Sequence, residues 1–467
     1  MNKKILFVNS INTFSELENR YPPLGIGYLI SYLRKMFGNN FFIFRIISDN
    51  LNQELKVFNP DIVCITSVSQ NYNLAKEHAK TAKEQGFPVI IGGIHISMLP
   101  ESLSGDMDVG VIGEGERTIV ELVKLFLAQG GFNDFDMLNS VKGIVYKKGN
   151  ELILTPKREL IDPLDEIPFP SRDMFNISGH SYIFSSRGCP YRCQFCASAR
   201  YWHKVRYFSA EYVVNEIKEL INRYNVKLIS FYDDLMMASL DRLRKIVALL
   251  EQEGLLGKVK FTANARANLM TEETVKLLKK MNVVSVGMGL ESGSERILQY
   301  LKKNNVSIAM NHQAIEMLKK YKITANASFV IGSPDETREE ILETLNFIKK
   351  NRLDLFDVYV LTPYPGTPIW DYAKAKGLVS NDMDWAKLDI SFSYNYKKAI
   401  ILSEILNREE LNSLFKIFKR HFFLLMVKNI FKHPYLIDVP KILIAKTREK
   451  LAVFLSKIKL KVRSCRN

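Results

Sequence analysis

The sequence predicts an α/β protein built from two parallel-sheet domains and a basic helical tail. Apolar runs of strand length alternate with helical stretches over the first 125 residues, and the alternation resumes at Tyr182. This alternation is typical of parallel strands covered by helices on both faces. The predicted parts are a doubly wound, flavodoxin- or Rossmann-like domain (1–130), a hairpin and linker (131–180), a partial (β/α)6 barrel of the TIM type (181–390) and a basic helical extension (391–467).

Five apolar runs predict the strands of the first domain, and three segments between them have apolar residues at helical spacing. The strands are KKILFVNS, NFFIFRII, PDIVCITS, PVIIGG and DVGVIGEGE, and the helices are LGIGYLISYLRKMFG, NYNLAKEHAKTAKEQG and RTIVELVKLFLAQG. After them, VKGIVYKKGNELILTP predicts a hairpin around Gly149 and Asn150. The segment IDPLDEIPFPSRDMF is rich in Pro and Asp and predicts an ordered linker.

Six β/α units follow, with helices such as SAEYVVNEIKELINRY that carry Ser or Asp near their start. Six units are fewer than the eight of a complete barrel, so we predict an open or partial barrel. In such folds the loops at the carboxyl ends of the strands carry the chemistry. The predicted strands are 182–186, 227–232, 259–263, 283–289, 324–331 and 355–361.

Composition favours a cytoplasmic globular protein. Apolar residues make up 47% of the chain and charged residues 25%, and neither a signal peptide nor a run of eighteen apolar residues is visible. Five cysteines without an export signal argue against a disulfide framework. Of the net charge of +15, +12 belongs to residues 411–467, so the charge does not indicate a nucleic-acid partner for the body of the protein.

The tail combines apolar and basic residues at helical spacing. We favour a helix that caps the barrel with a solvated basic face. The alternative is an amphipathic helix on an anionic membrane, which implies peripheral membrane contact and a lipid-like substrate. Binding to nucleic acid is the least favoured reading. The residues are Leu411, Phe415, Phe418 and Phe422, with Lys416, Lys419 and Arg420 between them.

The stretch RGCPYRCQFC places Cys189, Cys193 and Cys196 directly after the first barrel strand. A tight loop of thiolates suits zinc or an iron–sulfur cluster. Structural zinc needs a fourth ligand, for which His203 and His180 are the nearby candidates. A four-iron cluster held by three cysteines instead leaves one iron open to a substrate or cofactor. A structural zinc or iron–sulfur protein without catalysis is thus the alternative to an enzyme.

The spacing C-x3-C-x2-C, with Phe195 before the last cysteine, closely resembles that of the radical S-adenosylmethionine (SAM) enzymes. The resemblance implies a 4Fe–4S cluster whose open iron is chelated by the amino and carboxylate groups of SAM. An electron from the reduced cluster then cleaves SAM to a 5′-deoxyadenosyl radical. An electron donor such as flavodoxin or ferredoxin is implied as a partner.

Segments at the other strand ends agree with this resemblance: FYDDLMMAS, NARAN, GMGLESGSERIL and SFVIGSPDET. Carboxylates there can hold an ammonium group, an arginine can pair bidentately with a carboxylate, and glycine permits close backbone approach. Each residue is otherwise a helix cap or a turn residue. The predicted SAM contacts are Asp233 and Asp234 with the ammonium, Arg266 with the carboxylate, Glu291 and Ser292 with ribose hydroxyls or the ammonium, and Gly332 with adenine.

A doubly wound domain before a radical SAM domain resembles the cobalamin-binding branch of the family. The matching segments are RYPPLGIGYLISYLRK, ITSVSQN, IGGIH and VIGEGE. Ligands of doubly wound folds bind at the carboxyl edge of the sheet. A Rossmann nucleotide site fits less well, because NSINTFSE follows the first strand instead of G-x-G-x-x-G. The predicted cobalamin contacts are Ser67, Ser69, Gly92, Gly93, Gly113 and Glu114.

The first domain departs from many cobalamin domains, which carry Asp-x-His-x-x-Gly after the first strand. That motif is absent here, and we expect His95 to be an ordinary loop histidine. We therefore predict cobalamin without a protein histidine on cobalt. A methylthiotransferase would need three N-terminal cysteines for a second cluster, whereas this domain has only Cys64, which we expect in the core.

These observations predict a cobalamin-dependent radical SAM enzyme that transfers a methyl group to an unactivated carbon of a small-molecule or lipid-like substrate. Ring contraction, cyclisation or oxidation without methyl transfer is the alternative outcome. The segment LTPYPGTPIWD, with Tyr364 and Trp370, either closes one wall of the substrate pocket or forms a structural turn.

Overall fold

Two open sheets organise the protein, one in each predicted domain. The structure is a computed structural model that describes residues 2–13, 22–177, 179–303, 306–390 and 392–429. Each sheet is covered by helices, so its strands are apolar on both faces. In β1 (Lys3–Ser10), for example, Ile5, Leu6, Phe7 and Val8 are all buried.

The first sheet has seven strands in the order β2-β1-β3-β4-β5-β6-β7. Strands β1 to β5 run parallel and confirm the five predicted strands, while β6 and β7 add an antiparallel edge. The predicted hairpin around Gly149 therefore belongs to the first sheet. The other strands are β2 (Phe42–Ile47), β3 (Ile62–Ser67), β4 (Val89–Gly92), β5 (Val109–Val111), β6 (Ile144–Lys148) and β7 (Glu151–Leu154), and the helices are Leu24–Phe37, Leu51–Phe58, Tyr72–Glu84, Ile94–Met98, Gly115–Gln129 and Phe135–Ser140.

The second sheet has six parallel strands in the order β8-β11-β12-β13-β14-β15. Among the described residues its first and last strands do not pair, which confirms a partial barrel. Its strands are β8 (His180–Ile183), β11 (Leu228–Phe231), β12 (Lys260–Ala265), β13 (Val283–Glu291), β14 (Thr324–Ile331) and β15 (Leu355–Val360). Its helices are Ser198–Tyr201, Ala210–Tyr224, Leu240–Gln252, Glu272–Lys280, Glu295–Lys302, Ile308–Lys320, Arg338–Lys350, Pro368–Ala375 and Phe392–Asn395.

Hydroxyl side chains fix where the barrel helices begin. Ser209 accepts a hydrogen bond from the backbone N–H of Tyr212, as the sequence predicted for this helix. Thr337 forms a capping box with Glu340, so the helix Arg338–Lys350 begins directly after Thr337. These caps satisfy backbone donors that have no partner inside the helix.

A buried ion cluster joins the two domains. The short strands β9 (Ser186–Arg187) and β10 (Arg206–Tyr207) pair antiparallel and place Arg187 opposite Arg206. Arg187 donates to Glu114 at 2.5 Å and also to Glu116, while Arg206 donates to both oxygens of Glu114 at 3.0 Å. The cluster therefore ties the start of helix Gly115–Gln129 to the segments on either side of the cysteine loop.

The helix Arg408–Asn429 packs against the barrel through the predicted apolar stripe. Leu411, Phe415 and Phe418 are buried in the barrel core, and the ring of Phe422 lies 5.8 Å from that of Phe356 in β15. The prediction of a capping helix is confirmed for this segment. About half of the predicted basic extension (391–467), residues 430–467, lies outside the described residues. In the part of the chain that the structure describes, no helix is long and apolar enough to span a membrane.

Candidate active site

The three cysteines of the loop border one cavity at the carboxyl ends of the barrel strands, which we call the cysteine cavity. It lies where strand ends of a β/α barrel normally carry the chemistry. Phe195, which precedes the last cysteine of the motif, also lines it. The lining residues are Cys189, Tyr191, Cys193, Phe195, Cys196, Tyr232, Asp233, Asp234, Leu235, Asn264, Ala265, Arg266, Gly287, Met288, Gly289, Glu291, Lys302, Asn326, Ala327, Ser328 and Asp357.

Backbone contacts fix the cysteine loop. The Gln194 N–H donates to the Leu301 carbonyl at 2.9 Å, and the Arg200 guanidinium donates to the Cys196 carbonyl at the same distance. Gly188 begins the loop with φ +99°, and a Cβ there would lie 2.7 Å from the Lys204 carbonyl oxygen. Only glycine fits that turn without strain.

The donor set fits an iron–sulfur cluster. Within the described ranges, no three Cys, His, Asp or Glu side chains are already gathered around one ion-sized point. A four-iron cluster spreads its irons over the corners of a cube, so its three thiolates do not have to meet at a single point. Burial raises the pKa of the Cys196 thiol to about 11. The thiolate that ligates iron is therefore formed together with metal binding, which stabilises the anion.

Arg266 is the best-placed predicted SAM ligand. Its side chain is 5% exposed, and its Nη1 donates to Cys193 Sγ at 3.4 Å. Its Nε and Nη2 atoms have no hydrogen-bond partner among the described residues. Buried cationic donors without partners are costly, and a carboxylate bound to them removes that cost. These two atoms therefore fit the carboxylate of SAM.

The acidic residues of the cysteine cavity differ in the contacts that their carboxylates already make within the protein. Glu291 has φ +64° and lies 3.4 Å from Lys302 Nζ; burial raises its pKa. Asp233 accepts from the backbone N–H groups of Ser185 and Ser186, and from the Ser185 hydroxyl. Asp233 thus braces the end of β8, while Asp234 is exposed and accepts from Ser198. Their roles toward the SAM ammonium and ribose stay predictions.

Two predicted SAM contacts lie outside the cysteine cavity. The Ser292 hydroxyl is 3.2 Å from Thr344 Oγ1 and accepts from the backbone N–H of Ser294. Gly332 faces helix Arg408–Asn429, and a Cβ there would lie 3.0 Å from a methyl group of Leu411. These contacts favour turn roles for both residues, and their contacts with SAM stay predictions. Trp370 also packs in the core of the first domain, stacked 5.9 Å from Trp385, which favours the structural reading of its segment.

The turn after β14 contains a buried acid whose protonation should affect stability. Glu336 accepts from the backbone N–H groups of Gly332 and Ser333, its second oxygen has no described partner, and burial raises its pKa to about 7. The folded protein then holds a proton that the unfolded chain releases near pH 4.5. Stability should therefore fall by about 3 kcal/mol as pH rises from about 4.5 through 7.

This pH dependence can be measured by urea unfolding at a series of pH values. Glu336→Gln should remove most of the slope, because glutamine does not titrate. Glu339→Gln, an exposed change on the adjacent helix, should keep the slope. An unchanged slope in Glu336→Gln would show that another group is responsible.

A second cavity lies between the domains, and we call it the interdomain cavity. Gly92, Gly93, Gly113 and Glu114, four of the six predicted cobalamin contacts, line it. The carboxylate of Glu114, however, is engaged by Arg187 and Arg206. The lining of the interdomain cavity is mostly apolar, which fits a large flat ligand lying against backbone. Further residues that line the interdomain cavity include Asn9, Tyr28, Thr66, Phe184, Tyr201, Trp202, Tyr232 and Asp234.

The other two predicted contacts, Ser67 and Ser69, do not line the interdomain cavity. The Ser67 hydroxyl donates to the Val68 carbonyl at 2.8 Å, and the Ser69 hydroxyl lies 3.1 Å from His95 Nδ1. Asn9 and Thr66 at the ends of β1 and β3 line it instead. The sequence indicated this edge of the sheet, but it did not show which polar residues at that edge line the interdomain cavity.

Gly93 gives the interdomain cavity its tightest steric requirement. It has φ +104°, and a Cβ would lie 2.7 Å from the Ser67 carbonyl oxygen. Gly93→Ala should therefore shift the backbone that lines the cavity. If strain of about 1–3 kcal/mol is removed only in the corrinoid-free protein, it corresponds to roughly a five- to 150-fold loss of corrinoid affinity. Corrinoid retained after desalting measures this loss.

Gly105→Ala is the matched control for this change, because a Cβ at Gly105 meets no atom within 4 Å. It should retain corrinoid like the unchanged protein, and both variants should keep the iron content. Normal corrinoid retention in Gly93→Ala would contradict the placement of cobalamin at this edge.

His95 is a core residue rather than a loop residue. It lies in helix Ile94–Met98, is 1% exposed, and its two ring nitrogens lie within 3.1 Å of the hydroxyls of Ser69 and Ser102. Burial lowers its pKa to about 3, and its ring lies 3.8 Å from that of Tyr72. Among the described residues, no histidine lines the interdomain cavity.

Tyr232 and Asp234 line both cavities and form a shared wall between them. Tyr232 follows β11, is 45% exposed, and packs edge-on against Phe184 at 5.8 Å. The two cavities are thus adjacent and share these two side chains. The arrangement can bring two cofactors to a single substrate placed at this wall.

The fold and the site define a radical SAM enzyme with a cobalamin-binding domain. The family model of the radical SAM superfamily matches residues 183–348, and that of the B12 binding domain matches residues 13–123. This chain belongs to the radical SAM superfamily, in the branch that carries a cobalamin-binding domain. Its cofactors are a 4Fe–4S cluster, SAM and cobalamin.

Known proteins resemble the chain over most of its length. An uncharacterized methyltransferase of Pyrococcus horikoshii is 33% identical over 437 residues, which cover 88% of this chain and 90% of the relative. A second relative is an anaerobic magnesium-protoporphyrin IX monomethyl ester cyclase of Cereibacter sphaeroides. It is 27% identical, and the match covers 92% of this chain and 72% of the length of the relative. The solved structure of the methyltransferase TsrM from Kitasatospora setae shares the fold, with a TM-score of 0.66 at 17% identity over 81% of this chain and 76% of that one.

Proposed function

We propose that this chain is a cobalamin-dependent radical SAM methyltransferase that methylates an unactivated carbon. The observation that carries the proposal is the shared wall of Tyr232 and Asp234 between the cysteine cavity and the interdomain cavity. When bound, the cluster with SAM supplies a carbon radical, and cobalamin supplies the methyl group. A substrate carbon at this wall is within reach of both.

The residues of the chain bind and orient these groups. The three cysteines hold the cluster, and the free donors of Arg266 hold the SAM carboxylate. Gly92 and Gly93 let the corrinoid lie against the end of β4, and Tyr201 closes the interdomain cavity by donating to the Gly113 carbonyl at 2.8 Å. Excluding water from both cavities protects the radical from side reactions.

The test is an anaerobic assay of the protein expressed with cobalamin and reconstituted with iron and sulfide. We expect a corrinoid spectrum and cleavage of SAM to 5′-deoxyadenosine on reduction. We also expect S-adenosylhomocysteine to form when the assay contains SAM with a deuterated methyl group, because that methyl group leaves SAM. One SAM gives its methyl group and leaves S-adenosylhomocysteine, while a second gives methionine and 5′-deoxyadenosine. Bound corrinoid with 5′-deoxyadenosine but without S-adenosylhomocysteine would overturn methyl transfer.

A reaction without methyl transfer is the second candidate. The similarity to the Cereibacter cyclase covers 92% of this chain, and that relative is named for ring formation. For this candidate the deuterated methyl group stays with methionine, so the same assay distinguishes the two. The proposed substrate is a small or lipid-like molecule, and the proposed electron donor is a flavodoxin or ferredoxin. Peripheral membrane contact is not part of the proposal, because residues 411–418 of the apolar stripe are used inside the protein.

The cobalt of the bound corrinoid should lack a nitrogen ligand from the protein. His95 is committed to Ser69 and Ser102, and the described lining of the interdomain cavity contains no histidine. We expect the EPR spectrum of the Co(II) form to show no nitrogen superhyperfine coupling that changes when histidine is labelled with nitrogen-15. A label-dependent splitting would identify a histidine ligand and contradict this prediction.

A further inference from the structure

Arg266 is held from two sides by the cysteine loop. Its guanidinium carbon lies 3.9 Å from the centroid of the Tyr191 ring, and the Tyr191 hydroxyl accepts from Asn268 Nδ2 at 2.8 Å. Tyr191 stands between Cys189 and Cys193, whereas Arg266 and Asn268 follow β12. These three residues, which we call the Arg266 clamp, tie the cysteine loop to the end of β12.

The clamp fixes the direction of the guanidinium donors. A guanidinium is planar, so stacking on Tyr191 sets the plane in which all five N–H bonds lie. With that plane set, Nη1 meets Cys193 Sγ at 3.4 Å, while Nε and Nη2 stay buried without a hydrogen-bond partner among the described residues. The thiol of Cys193 is itself buried, so solvent competes little for this contact.

We propose that Arg266, positioned by Tyr191 and Asn268, tunes the reduction potential of the cluster. Reduction adds one electron to the cluster and no proton. An N–H donor and a positive charge at a ligating sulfur stabilise the more negative, reduced form, which raises the potential. Arg266 thereby makes the cluster easier to reduce by a weak donor, in addition to holding SAM. The inference rests on the cluster site and is independent of methyl transfer.

The experiment is an EPR-monitored redox titration of the reconstituted full-length protein with dithionite, without SAM. Arg266→Gln should lower the equilibrium constant for reduction of the cluster about tenfold. For one electron this corresponds to a reduction potential about 59 mV lower. Arg266→Lys should lower it by less than Arg266→Gln, because lysine keeps the charge but not the planar edge that donates to Cys193. Asn268→Ala and Tyr191→Phe should lower the reduction potential by less, since they only loosen the clamp.

Matched controls on the surface are Arg296→Gln and Tyr321→Phe. These changes break bonds to Glu340 and Glu272 and should leave the reduction potential unchanged.

Different results of this titration would contradict different parts of the inference. A wild-type potential in Arg266→Gln with full iron content would overturn the inference. A wild-type potential in Arg266→Lys alone would overturn the role of the hydrogen bond and leave only the charge. If Arg266→Gln does not assemble a cluster, Asn268→Ala decides, because it retains Arg266 and all three cysteines; an unchanged potential there overturns the role of the clamp. Absence of a reducible cluster in the unchanged protein would instead reject the cluster site itself.

Discussion

Replacing Glu114 with glutamine should destabilise the protein by about 3–5 kcal/mol, the range found when one partner of a buried ion pair is removed. Burial opposes ionisation of Glu114, but Arg187 and Arg206 outweigh it and lower its pKa. The carboxylate also accepts from the Ile161 N–H at 2.7 Å. Glutamine leaves two buried guanidinium groups without their common counter-charge. Urea unfolding followed by tryptophan fluorescence measures the loss.

Glu121→Gln is the matched control for this prediction. Glu121 lies in helix Gly115–Gln129, whose N-cap residue is Glu114, and pairs with Arg158, but its side chain is 42% exposed. Exposed pairs contribute about 0.2–1 kcal/mol, so this variant should remain close to the unchanged protein. Equal effects of the two changes would mean that the ion cluster does not stabilise the junction between the domains.

Replacing Cys193 with alanine should reduce the formation of 5′-deoxyadenosine by at least about 100-fold. Loss of residues that merely support a metal ligand already costs about 10–100-fold, and we propose Cys193 as a ligand itself. The variant should also bind less iron and lose the EPR signal of the reduced cluster. Anaerobic reconstitution followed by iron analysis and product assay gives the three measurements.

Cys465→Ala is the control for Cys193→Ala, since it removes a thiol outside the loop. It should retain both iron and SAM cleavage. If Cys193→Ala kept SAM cleavage and lost only stability, the loop would hold a structural metal, and the assignment of the radical SAM site would be wrong.

Periodicity was sufficient to predict most of the fold. The apolar runs that predicted β1, β3 and β14 coincide with the observed strands to within two residues, because continuous apolar residues suit strands buried on both faces. Helix Leu51–Phe58 was not predicted, since its eight residues give too few turns for a clear pattern. The place of the hairpin at the edge of the first sheet was also missed, because pairing between distant strands leaves no local signal.

The site was predictable only where chemistry depends on local spacing. The cysteine motif is contained in eight residues, so its cavity could be located from the sequence. The ion cluster could not, because Arg187 and Arg206 lie 73 and 92 residues from Glu114 along the chain. The direction of a side chain at a strand end is equally invisible, which explains why Ser67 and Ser292 were chosen and Asn9 and Thr66 were not.

If a corrinoid occupies the interdomain cavity, the lifetime of the enzyme should depend on the supply of the corrinoid. A corrinoid that contacts surfaces of both domains binds only when they are docked, so it adds stability by mass action, about 2.7 kcal/mol at a concentration 100 times its dissociation constant. Cells short of corrinoid would hold a larger fraction of chains with separated domains, and proteases degrade such chains first. The amount of this enzyme should then follow the nutrient before any change in transcription.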